Sequence, residues 1–192
     1  MLRSYATTLV LVLSLSSCGN DLPPMDRSLA AAEEYVDAFY SFDPEVLKDV
    51  LVAAEESHAK MLFYQGWAEG GNYEIIKRFP CAQSNDETID CSITVKDDLI
   101  GALGIDFHVT DTFHITVVDG EIVRVINSSN DPQAYYDAEE WVRTNRPELI
   151  ELPCKGFFDG GPTPGDCVRA MVSGYAEYKS DSRGSESSQD SE

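Results

Sequence analysis

The chain has 192 residues, 43% of them hydrophobic, and a net charge of −20 at pH 7. This apolar and aromatic content excludes a wholly disordered chain and suits one domain with a sizeable core. The negative charge would repel phosphate backbones, which excludes nucleic acid as a partner. It is most simply explained as a contribution to solubility.

Residues 1–17 predict an export signal. Arg3 gives the first segment a positive charge, Leu9–Leu13 form a short apolar centre, and small residues lead to Cys18. The apolar run is far shorter than the roughly 20 residues of a membrane-spanning helix. A buried strand of a cytosolic domain is one alternative. Plain secretion is another, but it needs a small residue where Leu15 stands.

The stretch Leu15-Ser16-Ser17-Cys18 resembles the bacterial lipobox, in which a signal peptidase cuts just before a lipid-modified cysteine. The resemblance implies palmitate or similar acyl chains on Cys18, which anchor the exported protein to a bacterial membrane. Gly19 after the cysteine resembles lipoproteins that are sent on to the outer membrane, where a cell has one. Residues 18–28, with Pro23-Pro24, are expected to form an extended tether.

With Cys18 lipidated, four cysteines remain, and an even count in an oxidising compartment indicates two disulfides. Three pairings are compatible with this count. The local spacing predicts Cys81–Cys91 and Cys154–Cys167, each of which closes a short loop. A zinc site is disfavoured because the chain has no C-x-x-C pair.

Apolar residues at helical spacing predict three N-terminal helices. The first covers Leu29 to Tyr40. The second opens at Asp43-Pro44, an N-cap residue followed by a first-turn proline. The third runs from Ser57 to about Trp67 and ends at Gly70-Gly71.

The apolar pattern then changes to period two. It predicts strands over Tyr73–Ala82, Ile89–Lys96, Asp106–Val118 and Glu121–Asn127, with Asp119-Gly120 as a hairpin turn. Three helices followed by a meander of strands is an α+β plan, with an antiparallel sheet packed on the N-terminal helices. The predicted domain spans residues 29–178.

The C-terminal part predicts a disulfide-looped helical extension. Asp131-Pro132 opens a helix, Cys154–Cys167 encloses a loop rich in Gly and Pro, and Asp166 caps a short final helix. Residues 179–192 contain no apolar side chain to bury, so we expect a disordered acidic and Ser-rich tail.

The order of elements and the segment Val109–Val123 (VTDTFHITVVDGEIV) resemble the nuclear transport factor 2-like superfamily, which includes SnoaL-like polyketide cyclases and ketosteroid isomerases. The match covers roughly Leu29–Asn130, and the part around Phe157–Cys167 resembles exported members of that superfamily. The resemblance implies a curved sheet wrapped on helices into a cone with an apolar pocket. It implies no single chemistry, because the superfamily mixes enzymes, binders and assembly modules.

Asp111 is the first candidate for chemistry. In a straight strand it shares one otherwise apolar face with Val109, Phe113 and Val117. Burial there would raise its pKa, as an acid or base working near neutral pH requires. The resemblance to the isomerases implies an oxyanion-hole carboxyl on a late strand near this position. Alternatively, Asp111 accepts hydrogen bonds from a loop or faces solvent across a β-bulge.

His114, on the opposite face of the same strand, is the second candidate acid or base. His108 and His114 lie about 20 Å apart along that strand, too far to hold one metal ion. We therefore predict no metal site and no cofactor. The aromatic side chains expected either to pack in the core or to wall a ligand pocket are Tyr35, Phe39, Tyr64, Trp67 and Phe113.

These patterns predict a lipid-anchored module that binds a small apolar ligand or another protein. One alternative is an isomerase, cyclase or dehydratase that uses Asp111 as its acid or base. Another is a structural partner of an envelope protein, joined through the outer sheet face. A homodimer is a further alternative for the partner. An enzyme would bring at least two polar groups into an apolar pocket, whereas an interaction module would fill the pocket and expose an apolar sheet face.

Overall fold

The computed structural model describes residues 23–85, 87–156 and 165–189 and has a mixed α+β architecture. Seven helices and five strands follow one another in these residues: α1 Pro24–Tyr40, α2 Pro44–Val50, α3 Glu55–Gly70, β1 Glu74–Arg78, β2 Ala82–Gln83, β3 Thr88–Lys96, α4 Asp98–Leu103, β4 Val109–Val118, β5 Glu121–Ser129, α5 Gln133–Asn145, α6 Pro147–Ile150 and α7 Gly165–Gln189.

The three N-terminal helices form where the sequence predicts them. Asp43 caps α2 as expected, because its carboxylate accepts a hydrogen bond from the backbone N–H of Glu45 at 2.9 Å. Helix α1 begins earlier than predicted, at Pro24, so the segment expected to be a tether is already helical at its end. Proline suits the first turn of a helix, where its missing N–H has no partner to lose.

The sheet is antiparallel, with the strand order β1-β3-β4-β5. Strands β1 and β2 both pair with β3, one after the other along the same edge, so the single strand predicted there is interrupted. Strands β4 and β5 are joined at Asp119-Gly120, whose φ angles of 54° and 87° are those of a two-residue type I′ turn.

Helix α4, between β3 and β4, is not predicted from the sequence. Asp97 caps it by accepting a hydrogen bond from the N–H of Ile100 at 2.8 Å, although the side chain is only 3% exposed. The helix lies within the connection between two neighbouring antiparallel strands, so the predicted order of β3, β4 and β5 in the sheet is kept. It also places a second carboxyl close to the core.

The core lies between the inner face of the sheet and the helices. Buried and half-buried positions alternate along β3 and β4, as expected for strands with one face in the core. Helix α1 packs on this face with Tyr35, Val36 and Phe39, and the rings of Phe39 and Phe113 are 4.7 Å apart between centroids. This packing orients β4, which carries Asp111.

Helix α7 packs against α3, α4, α5 and α6. A Cβ at Gly174 would come within 2.5 Å of a methyl of Val142, so the close approach of α7 to α5 requires glycine there. The final helix is longer than predicted, since it continues to Gln189 through residues expected to be disordered. The segment contains no proline, and extending a formed helix adds one hydrogen bond per residue.

Both predicted disulfides, Cys81–Cys91 and Cys154–Cys167, are confirmed. The second ties the start of α7 to the segment after α6. The residues expected to carry the export signal and the lipid, including Cys18, lie outside the described residues, as does most of the Gly- and Pro-rich loop. None of the described helices has both the length and the apolar composition needed to cross a bilayer.

Candidate functional site

A cavity of about 270 Å³ lies between the inner face of the sheet and helices α3 and α5. Its wall is mainly aromatic and is built by eight residues from five parts of the chain: Phe39, Phe63, Tyr64, Trp67, Tyr73, Phe113, Tyr135 and Tyr136. Helical spacing explains the convergence, because positions 63, 64, 67 and 68 share one face of α3, and positions 135, 136 and 139 share one face of α5.

Polar side chains complete the lining of the cavity: Asp111, Asn127, Ser129, Asp131 and Glu139. In the β4–β5 ladder Asp111 pairs with Ser129, and Phe113 pairs with Asn127. Paired residues point to the same side of a sheet, so all four face the cavity. Asp131 lies two residues after the end of β5, and its backbone N–H donates to Ser129 Oγ at 3.2 Å.

Asp111 is the one buried residue in this polar set, with 9% of its surface exposed. Its carboxyl forms no hydrogen bond with any described residue. Burial, reinforced by the negative charges of Asp131 and Asp97, raises the pKa of Asp111 from 3.8 to about 7. Both protonation states are therefore populated near neutral pH, which is the property expected of a general acid or base.

Two further carboxyls extend the negative field around Asp111. Burial raises the pKa of Asp97 to about 6, while the hydrogen bonds that it accepts from Ile100 and Leu99 act in the opposite direction. Asp131 is half-buried at the cavity and accepts a long hydrogen bond of 3.4 Å from the Tyr136 hydroxyl. The side of the cavity near Asp111 is therefore acidic.

Tyr64 places a phenol at the same cavity. Burial raises the pKa of the Tyr64 hydroxyl, and the negative charges of Asp111 and Asp131 act in the same direction. A hydrogen bond from the Asn127 side chain acts in the opposite direction and lowers it. The phenol is a second polar group that, together with Asp111, could donate a proton to a bound molecule or hold it in place. The structure brings the Asp111 and Tyr64 side chains to one cavity.

Four of the aromatic residues expected at a pocket line the cavity: Phe39, Tyr64, Trp67 and Phe113. Tyr35 does not. It is fully buried, and its ring packs against Phe39 and Phe113 with centroids 6.3 Å and 5.2 Å away. Tyr35 therefore supports the floor of the cavity from the core.

His114 does not contribute to the cavity, because it projects from the opposite face of β4. Its Nδ1 lies 2.8 Å from Asp90 Oδ1 and its Nε2 lies 2.9 Å from Ser128 Oγ, both on the outer side of the sheet. The expectation that His114 acts as a pocket acid or base is therefore corrected: it takes part in a cross-strand network on the outer surface.

The cavity residues on β5 and α5 were not predicted from the sequence. Asn127 and Ser129 alternate along β5 opposite Phe113 and Asp111, and Tyr135 and Glu139 are one helical turn apart on α5. The tyrosine pair at positions 135–136 was a usable signal, because it presents two rings on neighbouring positions of a largely polar segment.

In the described part of the chain, no group of three or more His, Cys, Asp or Glu side chains is arranged to hold a metal ion. Asp111, Asp131 and Glu139 line one cavity without forming such a group. Comparisons of the chain with protein-family models, with curated proteins and with solved structures found no match.

Proposed function

We propose that this chain is an exported, lipid-anchored protein of the nuclear transport factor 2-like fold that binds a small molecule in the cavity between the sheet and α3. The observation that supports this proposal is the aromatic cavity. Its volume of about 270 Å³ is close to the lower end of the roughly 300–1,000 Å³ of known ligand pockets, which suits a ligand with one or two ring systems.

The proposed fold and location have separate support. Three helices precede an antiparallel sheet whose inner face helps to form the cavity, and Val109–Val123, with its resemblance to the superfamily, supplies β4 and the start of β5. The two disulfides fit an oxidising compartment outside the cytoplasm. The proposed anchor at Cys18 rests on its lipobox-like context.

Binding to a protein through the outer sheet face has less support. Cross-strand hydroxyl pairs occupy that face, with Ser92 Oγ 2.8 Å from Thr112 Oγ1 and Thr94 Oγ1 2.9 Å from Thr110 Oγ1. Docking of an envelope protein or a second copy of this chain would favour an apolar surface instead.

The intrinsic fluorescence of Trp67 gives a direct test of ligand binding. The chain has two tryptophans, so Trp141→Phe leaves a single reporter in the cavity wall. We expect the neutral probe N-phenyl-1-naphthylamine to quench Trp67 and to gain fluorescence itself. In the same background Ala68→Phe, which fills the cavity from α3, should abolish both signals.

The matched control is Ala176→Phe, at an exposed position of α7 that does not line this cavity. It should leave binding of the probe unchanged, and the melting temperatures of both variants check that they are folded. Equal binding of the probe to the Ala68→Phe variant and to the parent would contradict a ligand site in this cavity.

A second candidate function, acid–base catalysis, is favoured by the pKa of about 7 at the buried Asp111 carboxyl. The reaction class would be proton abstraction beside a carbonyl, in which the Asp111 carboxylate takes the proton and the Tyr64 hydroxyl donates a hydrogen bond to the developing enolate oxygen. Deuterium exchange of cyclohexanone in heavy water tests it. Asp111→Asn should reduce any catalysed exchange about 100-fold or more.

A further inference from the structure

The Asp111 carboxyl lies in the cavity wall with no hydrogen-bond or ion-pair partner among the described residues. It is 9% exposed, lines the cavity and forms no hydrogen bond with any described residue. Instead of being neutralised, its charge is opposed by two further carboxylates, Asp131 and Asp97. Buried charges in proteins are normally paired or hydrogen-bonded, so a positively charged group bound beside Asp111 would stabilise its carboxylate.

Apart from Asp111, the wall of the cavity favours an organic cation. Eight aromatic rings line it, and tyrosine, tryptophan and phenylalanine all attract cations to their faces. The described lining residues contain three carboxyl groups and include no Lys, Arg or His that would repel a cation. The net charge of −20 further favours the approach of positive ligands.

Other classes of ligand fit this lining less well. An anion would meet the charges of Asp111, Asp131 and Glu139. A neutral apolar molecule would cover Asp111 without supplying a hydrogen bond or a charge, which leaves the desolvation of the carboxylate uncompensated. A hydrated metal ion requires several oxygen ligands, whereas most of this wall is aromatic.

We propose that the cavity selects a protonated amine, held by a charge-assisted hydrogen bond to the Asp111 carboxylate and by the surrounding aromatic faces. This inference rests on the proposed small-ligand function and names the chemical class of the ligand. The cavity volume of about 270 Å³ accommodates an amine attached to one aromatic or aliphatic ring.

The test compares two probes of nearly equal shape, 2-phenylethylammonium and the neutral 2-phenylethanol, with the single-tryptophan Trp141→Phe protein. Binding is measured by Trp67 fluorescence and by calorimetry at about 0.15 M salt, which screens non-specific attraction to the acidic surface. We expect the ammonium probe to bind at least about tenfold more tightly than the alcohol, because a charge-assisted hydrogen bond and cation–π contacts act only on the former.

Asp111→Asn should lower the preference for the ammonium probe to less than about threefold, through loss of the charge-assisted bond. Asp137→Asn is the matched control, since it removes the same charge from an exposed position on α5, and the preference should persist. Tyr136 lines the cavity but is 50% exposed, so its replacement does not threaten the core. Tyr136→Phe should keep the preference, and Tyr136→Leu should weaken it.

Equal or tighter binding of the alcohol overturns the proposal, and so does an ammonium preference that survives in Asp111→Asn. Binding of N-phenyl-1-naphthylamine without binding of the ammonium probe also overturns it, while leaving the small-ligand function intact. Failure of all three probes to bind would instead contradict the small-ligand function itself.

Discussion

Replacement of Asp111 by Asn is expected to stabilise the protein at neutral pH but not at acid pH. The amide has nearly the shape of the carboxyl and carries no charge. Because the Asp111 carboxyl is buried without a hydrogen-bond partner among the described residues, ionising it in the folded chain is unfavourable. The asparagine variant should avoid that cost.

The size of the effect follows from the pKa of Asp111, which burial raises from 3.8 to about 7. At about 1.4 kcal/mol for each pH unit, this difference corresponds to about 4 kcal/mol. Between these two pKa values the folded chain holds a proton on Asp111 that the unfolded chain releases, so the contribution of Asp111 to the free energy of unfolding is highest at low pH. This contribution falls from about pH 4 and levels off above about pH 7.

The stability gained by Asp111→Asn should therefore be near zero at about pH 4, about 2 kcal/mol near pH 5.5 and about 4 kcal/mol at pH 7 and above. Burial also raises the pKa of Asp97, to about 6, so the wild type and the variant share an additional loss of stability over the lower part of this range. The difference in the free energy of unfolding between the two proteins therefore reports on the Asp111 carboxyl, together with its repulsion with Asp97 and Asp131.

Urea unfolding with both disulfides intact measures this difference at each pH, and an unchanged m-value would show that the denatured state is unaffected. Asp137→Asn is again the control, and it should change stability by no more than about 0.5 kcal/mol at any pH, as expected for an exposed residue. A pH-independent gain for Asp111→Asn would refute the reasoning. So would an Asp111 carboxyl pKa at or below about 3.9 in an NMR titration, since that is the value of a solvated side chain.

Three other predictions concern the anchor, the disulfides and a buried amide. Mass spectrometry should find acyl chains on an N-terminal Cys18, and Cys18→Ser should move the protein from membranes to the soluble fraction. Replacing both Cys154 and Cys167 by Ser should lower the free energy of unfolding by about 2–3 kcal/mol, because the loop of the unfolded chain is no longer closed. Gln65 is 3% exposed and its Nε2 donates to carbonyl oxygens near the end of α1. Gln65→Leu should therefore cost about 1–3 kcal/mol in urea unfolding, by leaving those oxygens without that donor.

The inward position of Asp111 could be predicted because it depends only on local alternation. Residues two apart on a strand share a face, and the apolar residues Val109, Phe113 and Val117 identify which face is buried. The same reasoning places His114 on the outer side. Helix α4 could not be predicted in this way, because six residues are too few to reveal a helical period.

The contribution of β5 to the cavity could not be predicted, because it depends on a β-bulge. The turn at Asp119-Gly120 sets a register in which Val117 pairs with Ile122, and continuing that register would pair Asp111 with Ser128. One extra residue, Val123, shifts the ladder so that Asp111 pairs with Ser129 instead.

The shift reverses the faces of the rest of β5. It directs Asn127 and Ser129 into the cavity, and it leaves Ser128 on the outer side beside His114. A sequence pattern of alternating residues cannot locate a single inserted residue. The polar cavity residues Asn127 and Ser129 could therefore be identified only from the tertiary structure. The inward position of Asp111, which pairs with Ser129, could be predicted from the sequence.

Asp111 takes part in both candidate functions, amine binding and acid–base catalysis. The two functions require different protonation behaviour of its carboxyl group. An acid–base group must exchange its proton during turnover, so a pKa near 7 is useful only while the carboxyl keeps both states accessible. A bound ammonium group would favour the carboxylate and lower that pKa, which would suppress the proton-donating role. Titration of the Asp111 carboxyl with and without 2-phenylethylammonium consequently separates the two functions. A large fall in its pKa on binding supports amine recognition, and an unchanged pKa leaves the carboxyl available for proton transfer to a neutral ligand.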